Sequence, residues 1–175
     1  MNIEYLTIPK NGEILDSMFV WDITQRTDGI IVMATDKGVY GYNDSIGCFN
    51  LIPQLLNKQI SKVAARSNNL LYITVFNQPL LIFDGHNLEE MELPLIQGSN
   101  VELVFFDSRD RIWIGTTRGL ITRDDYYYKT ITTKEGLSDD HIISIDEDRF
   151  GNIWAGTDEG GVCIISDDKI ININS

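Results

Sequence analysis

One period governs this sequence. The segments Ile112-Trp113-Ile114-Gly115-Thr116-Thr117-Arg118-Gly119 and Ile153-Trp154-Ala155-Gly156-Thr157-Asp158-Glu159-Gly160 both read I-W-x-G-T-x-x-G, with their tryptophans 41 residues apart. Another 41 residues back lies Tyr72, in Leu70-Leu71-Tyr72-Ile73-Thr74-Val75, and 40 before that lies Val32, in Ile30-Ile31-Val32-Met33-Ala34-Thr35-Asp36-Lys37-Gly38. The T-x-x-G ending is intact in the first copy and decayed to Val75-Phe76-Asn77-Gln78 in the second. Two apolar columns upstream, Val20/Ile60/Val101/Ile142 and Ile23/Val63/Val104/Ile145, keep the same spacing. Independent columns on one period mean a genuine repeat, and a repeat of this length dictates a modular architecture.

Each unit holds four short apolar runs separated by turn signals. The first turns are Thr27-Asp28-Gly29, Ser67-Asn68-Asn69, Ser108-Arg109-Asp110 and Phe150-Gly151-Asn152, residue types that favour tight-turn geometry. After the T-x-x-G turn come Val39–Tyr42, Leu80–Phe83, Leu120–Thr122 and Val162–Ile165. A third turn at Asn43-Asp44, Asp84–Asn87, Asp124-Asp125 and Asp167-Asp168 leads to Phe49–Ile52, Met91–Leu93, Tyr126–Ile131 and Ile170–Ile173. Such spacing describes a β-meander. The two apolar columns are three residues apart, whereas plain strand alternation demands an even number. A β-bulge, or a strand buried on both faces, reconciles the offset.

A lone four-stranded sheet of forty residues cannot bury both faces, and stacking copies radially does so. The expected fold is therefore all-β: a β-propeller of four consecutive four-stranded antiparallel blades, which either closes as a small four-bladed ring, forms part of a larger propeller or pairs with a second chain, the larger propeller being the expectation. The blades fall at residues 15–52, 56–93, 97–131 and 137–173, with residues 1–9 as an outer strand of a preceding blade. Trp113 and Trp154 are expected wedged between blades, with Gly115 and Gly156 allowing close sheet approach. An open arc exposes two apolar faces, so self-association of the isolated chain is expected.

Composition narrows the function classes. The net charge of −12 repels phosphate backbones and anionic lipid, which argues against nucleic acid and direct membrane contact. The N-terminal sequence has neither the basic nor the apolar region of a signal peptide, and no apolar run reaches membrane-helix length. Cys48 and Cys163 are the only cysteines, too few for a disulfide framework, and are expected reduced.

The fourth unit resembles a known family. Gly136-Leu137-Ser138-Asp139-Asp140-His141-Ile142, Ile145-Asp146-Glu147-Asp148 and Gly151-Asn152-Ile153-Trp154-Ala155-Gly156-Thr157 are similar to the two-component regulator propeller repeat. The third unit resembles it through Asp110-Arg111-Ile112-Trp113-Ile114-Gly115-Thr116, and the first two only weakly. The resemblance implies the extracytoplasmic sensor region of a hybrid two-component histidine kinase, hence a periplasmic module sensing a glycan or oligosaccharide, with the remaining blades or sensor domains of a larger protein as partners.

Catalytic chemistry is not expected. His86 and His141 are the only histidines, and Ser138, Asp140 and His141 are too close in sequence to converge as a triad. Asp146–Gly151 is no calcium loop, because Phe150 stands where an oxygen ligand is needed. Asp139/Asp140 and Asp158/Glu159 read as solvated turn pairs, and Tyr126–Tyr128 as cover for an outer strand. No metal and no cofactor are expected. Loops on a rigid scaffold carry function, so the candidate ligand-binding residues are those of the blade-entry and second-turn loops: Asp36, Lys37, Asn77, Gln78, Asn100, Arg118, Asp140, His141, Asp158 and Glu159. The expected function is a non-enzymatic sensory propeller; the alternative is a protein–protein interaction scaffold without a small-molecule ligand.

Overall fold

A computed structural model describes residues 9–10, 13–14, 18–43, 48–123, 127–166 and 169–173. A two-stranded hairpin, β1 (Pro9–Lys10) and β2 (Glu13–Ile14), precedes four sheets. Blade 1 is β3 (Val20–Gln25), β4 (Ile31–Thr35), β5 (Gly38–Asn43) and β6 (Cys48–Leu51). Blade 2 is β7 (Ile60–Ala65), β8 (Leu71–Val75), β9 (Leu81–Phe83) and β10 (Leu88–Glu90). Blade 3 is β11 (Val101–Phe106), β12 (Ile112–Thr116), β13 (Gly119–Arg123) and β14 (Tyr128–Ile131). Blade 4 is β15 (Ile142–Glu147), β16 (Ile153–Thr157), β17 (Val162–Ile165) and β18 (Ile170–Ile173). Each is an antiparallel meander in chain order. The expected outer strand at residues 1–9 lies outside the described residues up to Ile8, as do Asp44, Asp124, Asp125, Tyr126, Asp167 and Asp168.

All four first strands carry a bulge at the same place. The pairing register shifts between Val20 and Asp22, Ile60 and Lys62, Val101 and Leu103, and Ile142 and Ser144. One extra residue in each strand explains why the apolar columns are three apart while both face the same core.

The blades share their cores rather than owning them. Val32, Ala34 and Val39 of blade 1 pack on Ile60, Val63, Leu71 and Ile73 of blade 2. Tyr72 and Leu80 of blade 2 meet Val101, Val104, Ile112, Ile114 and Ile121 of blade 3. Trp113 and Leu120 of blade 3 meet Ile142, Ile153, Ala155 and Cys163 of blade 4. The column Val32/Tyr72/Trp113 therefore always points toward the following blade. Gly115 permits this approach: a Cβ there would stand 2.9 Å from Leu103 Cδ2 and 3.0 Å from Ile142 Cγ2. Gly156 meets only Ser144 of its own blade, so the close approach to a neighbour expected there is absent.

The arc is open among the described residues. Val20 and Ile23 are exposed, whereas Ile60, Val63, Val101, Val104 and Ile142 of the same columns are buried. At the other end Trp154, Ile171 and Ile173 are exposed. Trp154 is thus not wedged as expected: its motif supplies the niche, but burial needs a next blade. In blade 2 the fourth strand is Leu88–Glu90 rather than Met91–Leu93. Met91 and Leu93 pack against the core between blades 2 and 3, which accounts for their apolar character without a strand.

Two polar devices set the blade ends. Thr35 and Thr116 accept from the turn backbone and donate to the carbonyls of Gly38 and Gly119, the glycines of their T-x-x-G motifs; in the fourth unit Thr157 accepts from the motif glycine's own amide, Gly160 N, and donates one residue further on, to the Gly161 carbonyl. At the opposite end Asp107 accepts from the Arg109 and Arg111 amides and from Trp113 Nε1 at 3.0 Å. Asp148 accepts likewise from Phe150 and Asn152 amides and from Trp154 Nε1 at 3.1 Å. Asn152 above all, with Trp154, holds the Asp148 carboxyl down at about 2. Burial pushes Asp107 up, and the Trp113 and Arg111 donors outweigh it to leave it below the usual range.

Candidate functional site

The chain enters each blade beside the turn that follows its second strand. The carbonyls of Phe19, Gln59, Asn100 and His141 accept from the amides of Asp36, Phe76, Thr117 and Asp158 at 3.0–3.2 Å. These eight residues thus recur at one end of the inner strands, together with the bulge residues Trp21, Ser61, Glu102 and Ile143. The same niche is built at every junction and furnished differently.

Between blades 1 and 2 the niche is a cavity of about 470 Å³ lined by Trp21, Asp36, Gln59, Ile60, Ser61, Lys62 and Phe76. Trp21 and Phe76 are 57% and 66% exposed, a large apolar surface left to solvent at a rim that also carries a carboxylate, an amide, a hydroxyl and an ammonium. Phe19 stacks beside Trp21 with ring centroids 6.0 Å apart. Phe19 N donates to Asp36 Oδ1 at 3.0 Å, which fixes that carboxylate against the entry strand. Apolar walls with a few convergent polar groups are the usual anatomy of a small-molecule site.

Between blades 3 and 4 the same niche is titratable. His141 Nδ1 lies 3.5 Å from Asp158 Oδ2 and its Nε2 3.9 Å from Glu102 Oε1. Carboxylates flank both ring nitrogens at distances too long for good hydrogen bonds. Among the described residues no group of three His, Cys, Asp or Glu side chains is placed to hold a metal ion.

The ten residues read from the sequence do not share one cavity. Asp36 belongs to the aromatic niche, and Lys37 pairs with it at 3.5 Å. Asn77, Gln78 and Asn100 line a separate cavity of about 550 Å³ between blades 2 and 3, where Asn100 Nδ2 donates to Asn77 Oδ1 and Lys58 Nζ to Gln78 Oε1. His141 and Asp158 meet at the junction of blades 3 and 4. Asp140 is tied into the blade by Gly119 N and Thr133 N. The backbone of Glu159 donates to Asp139, and Arg118 is exposed with its amide on Thr116 Oγ1. Trp21, Gln59, Ser61, Lys62 and Phe76 were not visible to sequence reasoning. The one available signal was an aromatic residue, Phe76, in a turn whose counterparts are polar.

Four meanders packed side by side through shared cores define a segment of a β-propeller. Residues 136–159 match the family model of the two component regulator propeller, which agrees with the resemblance read from the fourth repeat. No curated protein matches the chain in sequence. Among solved structures, the chain is similar to the extracellular domain of BT3049 from B. thetaiotaomicron, assigned as a hybrid two component system. The identity is 20% and the TM-score 0.76, over 98% of this chain and 24% of that one. The extracellular domain of BT4673 from the same organism, assigned as a one component system, matches at 21% identity and TM-score 0.68, over 83% and 21% of the two chains. Virginiamycin B lyase from Staphylococcus aureus matches at 14% identity and TM-score 0.70, over 95% and 57%. The chain thus spans about a quarter of the first of these structures. These likenesses concern the fold. Among the described residues no helix is long and apolar enough to cross a membrane.

Proposed function

We propose that the chain is a segment of the periplasmic sensor propeller of a two-component-type regulator, and that it binds a neutral carbohydrate at the aromatic niche between blades 1 and 2 without turning it over. The observation that carries the reading is the exposed Trp21 and Phe76 pair facing one polar-rimmed cavity. Sugar rings present flat C–H faces to aromatic rings, and their hydroxyls need donors and acceptors of the kind Asp36, Gln59, Ser61 and Lys62 supply. The matching repeat at residues 136–159 and the extracellular sensor domains among the structural neighbours support the location. The exposed columns at both ends support further blades, from the same protein or a second copy, as structural partners.

The test is a glycan array on the purified chain, followed by tryptophan-fluorescence titration of each hit. Trp21→Ala and Phe76→Ala are expected to weaken binding by about tenfold or more each, since stacking on an aromatic face is worth ~1 kcal/mol and desolvation adds to it. Silence across the array, or unaltered binding in both variants, removes this reading. The scaffold alternative would then stand on the exposed end faces.

A further inference from the structure

The opposite end of the inner strands carries a second cavity, of about 630 Å³, lined by Arg66, Tyr72, Met91, Arg109, Asp110, Arg111, Ile112 and Arg123. We propose that this cavity binds a small polyanion bearing two or more carboxylate, sulfate or phosphate groups. It lies between blades 2 and 3: Arg66 follows the last residue of β7, Arg109 and Arg111 sit in the β11–β12 turn, and Arg123 ends β13.

Charge is the first argument. The whole chain has 14 basic against 26 acidic residues, yet four arginines and one aspartate meet at this cavity. A local excess of guanidinium in a strongly negative molecule focuses the field on one cleft, where an anionic ligand is favoured and the surrounding surface disfavours it. The choice of base is the second. Guanidinium presents a planar fork of donors that matches the oxygens of carboxylate, sulfate or phosphate two at a time.

The third argument is preorganisation. Arg66 lies 5.7 Å from the centroid of Phe106, Arg111 5.4 Å from Trp113 and Arg123 5.2 Å from Tyr128. Arg66 Nε is also held by Asp110 at 3.0 Å and Arg111 Nε by Asp107 at 2.7 Å. Long cationic side chains ordinarily lose rotamer freedom when they close on a ligand; here ring faces and carboxylates already hold Arg66 and Arg111, and a ring face Arg123. Asp107 is buried and committed to the Trp113 clamp, so the charge it offsets is that of Arg111 alone. The cavity volume falls within the range of ordinary ligand sites, large enough for two or three linked anionic units.

The test uses the full chain at about 50 mM NaCl, with trigalacturonate, tripolyphosphate and neutral maltotriose as probes in isothermal titration calorimetry. Both polyanions are expected to bind, with affinity falling steeply at about 0.5 M NaCl as screening tightens, whereas any maltotriose binding belongs to the aromatic niche and is expected to be insensitive to salt and weakened by Trp21→Ala. Arg109 and Arg123 are exposed, so the double variant Arg109→Gln/Arg123→Gln keeps the fold, checked by its melting temperature. It is expected to raise Kd by about a hundredfold, tenfold for each charge-assisted hydrogen bond removed, while Trp21→Ala leaves polyanion binding unchanged. Preference for trigalacturonate identifies an acidic oligosaccharide as the source of the chemistry, and preference for tripolyphosphate identifies a phosphate. Absence of binding by both polyanions overturns the proposal, as does parental affinity in a folded double variant. Failure here leaves the neutral-sugar niche untouched, because the two cavities lie at opposite ends of β7.

Discussion

Trp113 and Trp154 occupy the same motif position, and both donate Nε1 to an aspartate six residues earlier. They differ in what covers them: Trp113 is 5% exposed and Trp154 37%. Truncating each to alanine therefore isolates the worth of one blade–blade interface. A tryptophan buries at most about 250 Å². The difference of about a third corresponds to roughly 80 Å², and at ~25 cal/mol per Å² to about 2 kcal/mol. Trp113→Ala is expected to cost about 3–5 kcal/mol, the range for truncating a buried aromatic, and Trp154→Ala about 2 kcal/mol less. Both forgo the aspartate hydrogen bond, but that of Trp113 is buried and that of Trp154 exposed, so its loss widens the gap in the same direction. Urea unfolding followed by far-UV circular dichroism gives the two values, at a concentration where light scattering reports a monomer. Equal costs under those conditions would refute the open arc, because they would mean that something covers Trp154 as completely as blade 4 covers Trp113. Equal costs appearing only at concentrations where the chain associates would instead locate the association at this face.

Two further outcomes follow from backbone and charge. Gly119 adopts φ +124°, and a Cβ there would stand 2.8 Å from the Ile131 carbonyl oxygen; Gly119→Ala is expected to destabilise by about 2 kcal/mol through strain and the forced shift, whereas Gly29→Ala, at φ +88° with open space around it, should cost about 1 kcal/mol, both read from urea midpoints. Asp148 has a folded pKa lowered from 3.8 to about 2, so its contribution is complete above the unfolded value and is lost as pH falls from about 4 toward 2; the melting-temperature gap between parent and Asp148→Asn should be constant from pH 7 to about 5 and close over that acid window, and a gap that persists unchanged at about pH 2 contradicts the ionised clamp.

The repeat made the architecture legible because equivalent residues do equivalent packing. Val32, Tyr72 and Trp113 differ in chemistry, yet each projects toward the next blade. Even the three-residue offset between columns carried information, since it resolves into one bulge per first strand. The clamp was also present in the letters: Asp107 precedes Trp113, and Asp148 precedes Trp154, by six residues. It is hidden because the acidic run at Asp146–Asp148 draws attention to charge rather than to hydrogen-bond geometry. The outer strand of blade 2 is not where its apolar residues lie, because Met91 and Leu93 are apolar for the sake of a neighbouring core while the strand is Leu88–Glu90. The cavities were not legible for a related reason. Trp21 stands where the other blades have Ser61, Glu102 and Ile143, and Phe76 where they have Asp36, Thr117 and Asp158. Columns reveal what the repeats share, and these sites consist of what they do not share.

The two ends of the arc constrain how it can be completed. Every internal junction joins unlike surfaces, the Trp-column face of one blade and the bulged first strand of the next. The unpaired ends repeat that division, with Trp154 on one side and Val20 and Ile23 on the other. A surface of this kind is heterologous and is not built to pair with itself across a two-fold axis at a single end. Completion by further blades of the same chain satisfies both ends in one ring. Completion by a second copy requires both junctions at once, the Trp154 end of each copy meeting the Val20 end of the other, so that two sets of four blades share one ring. A Trp154→Arg change would then remove association altogether rather than halve it, because one unfavourable residue occurs at both seams of such a ring. Analytical ultracentrifugation of that variant separates the cases: residual dimer of unchanged affinity is incompatible with head-to-tail closure.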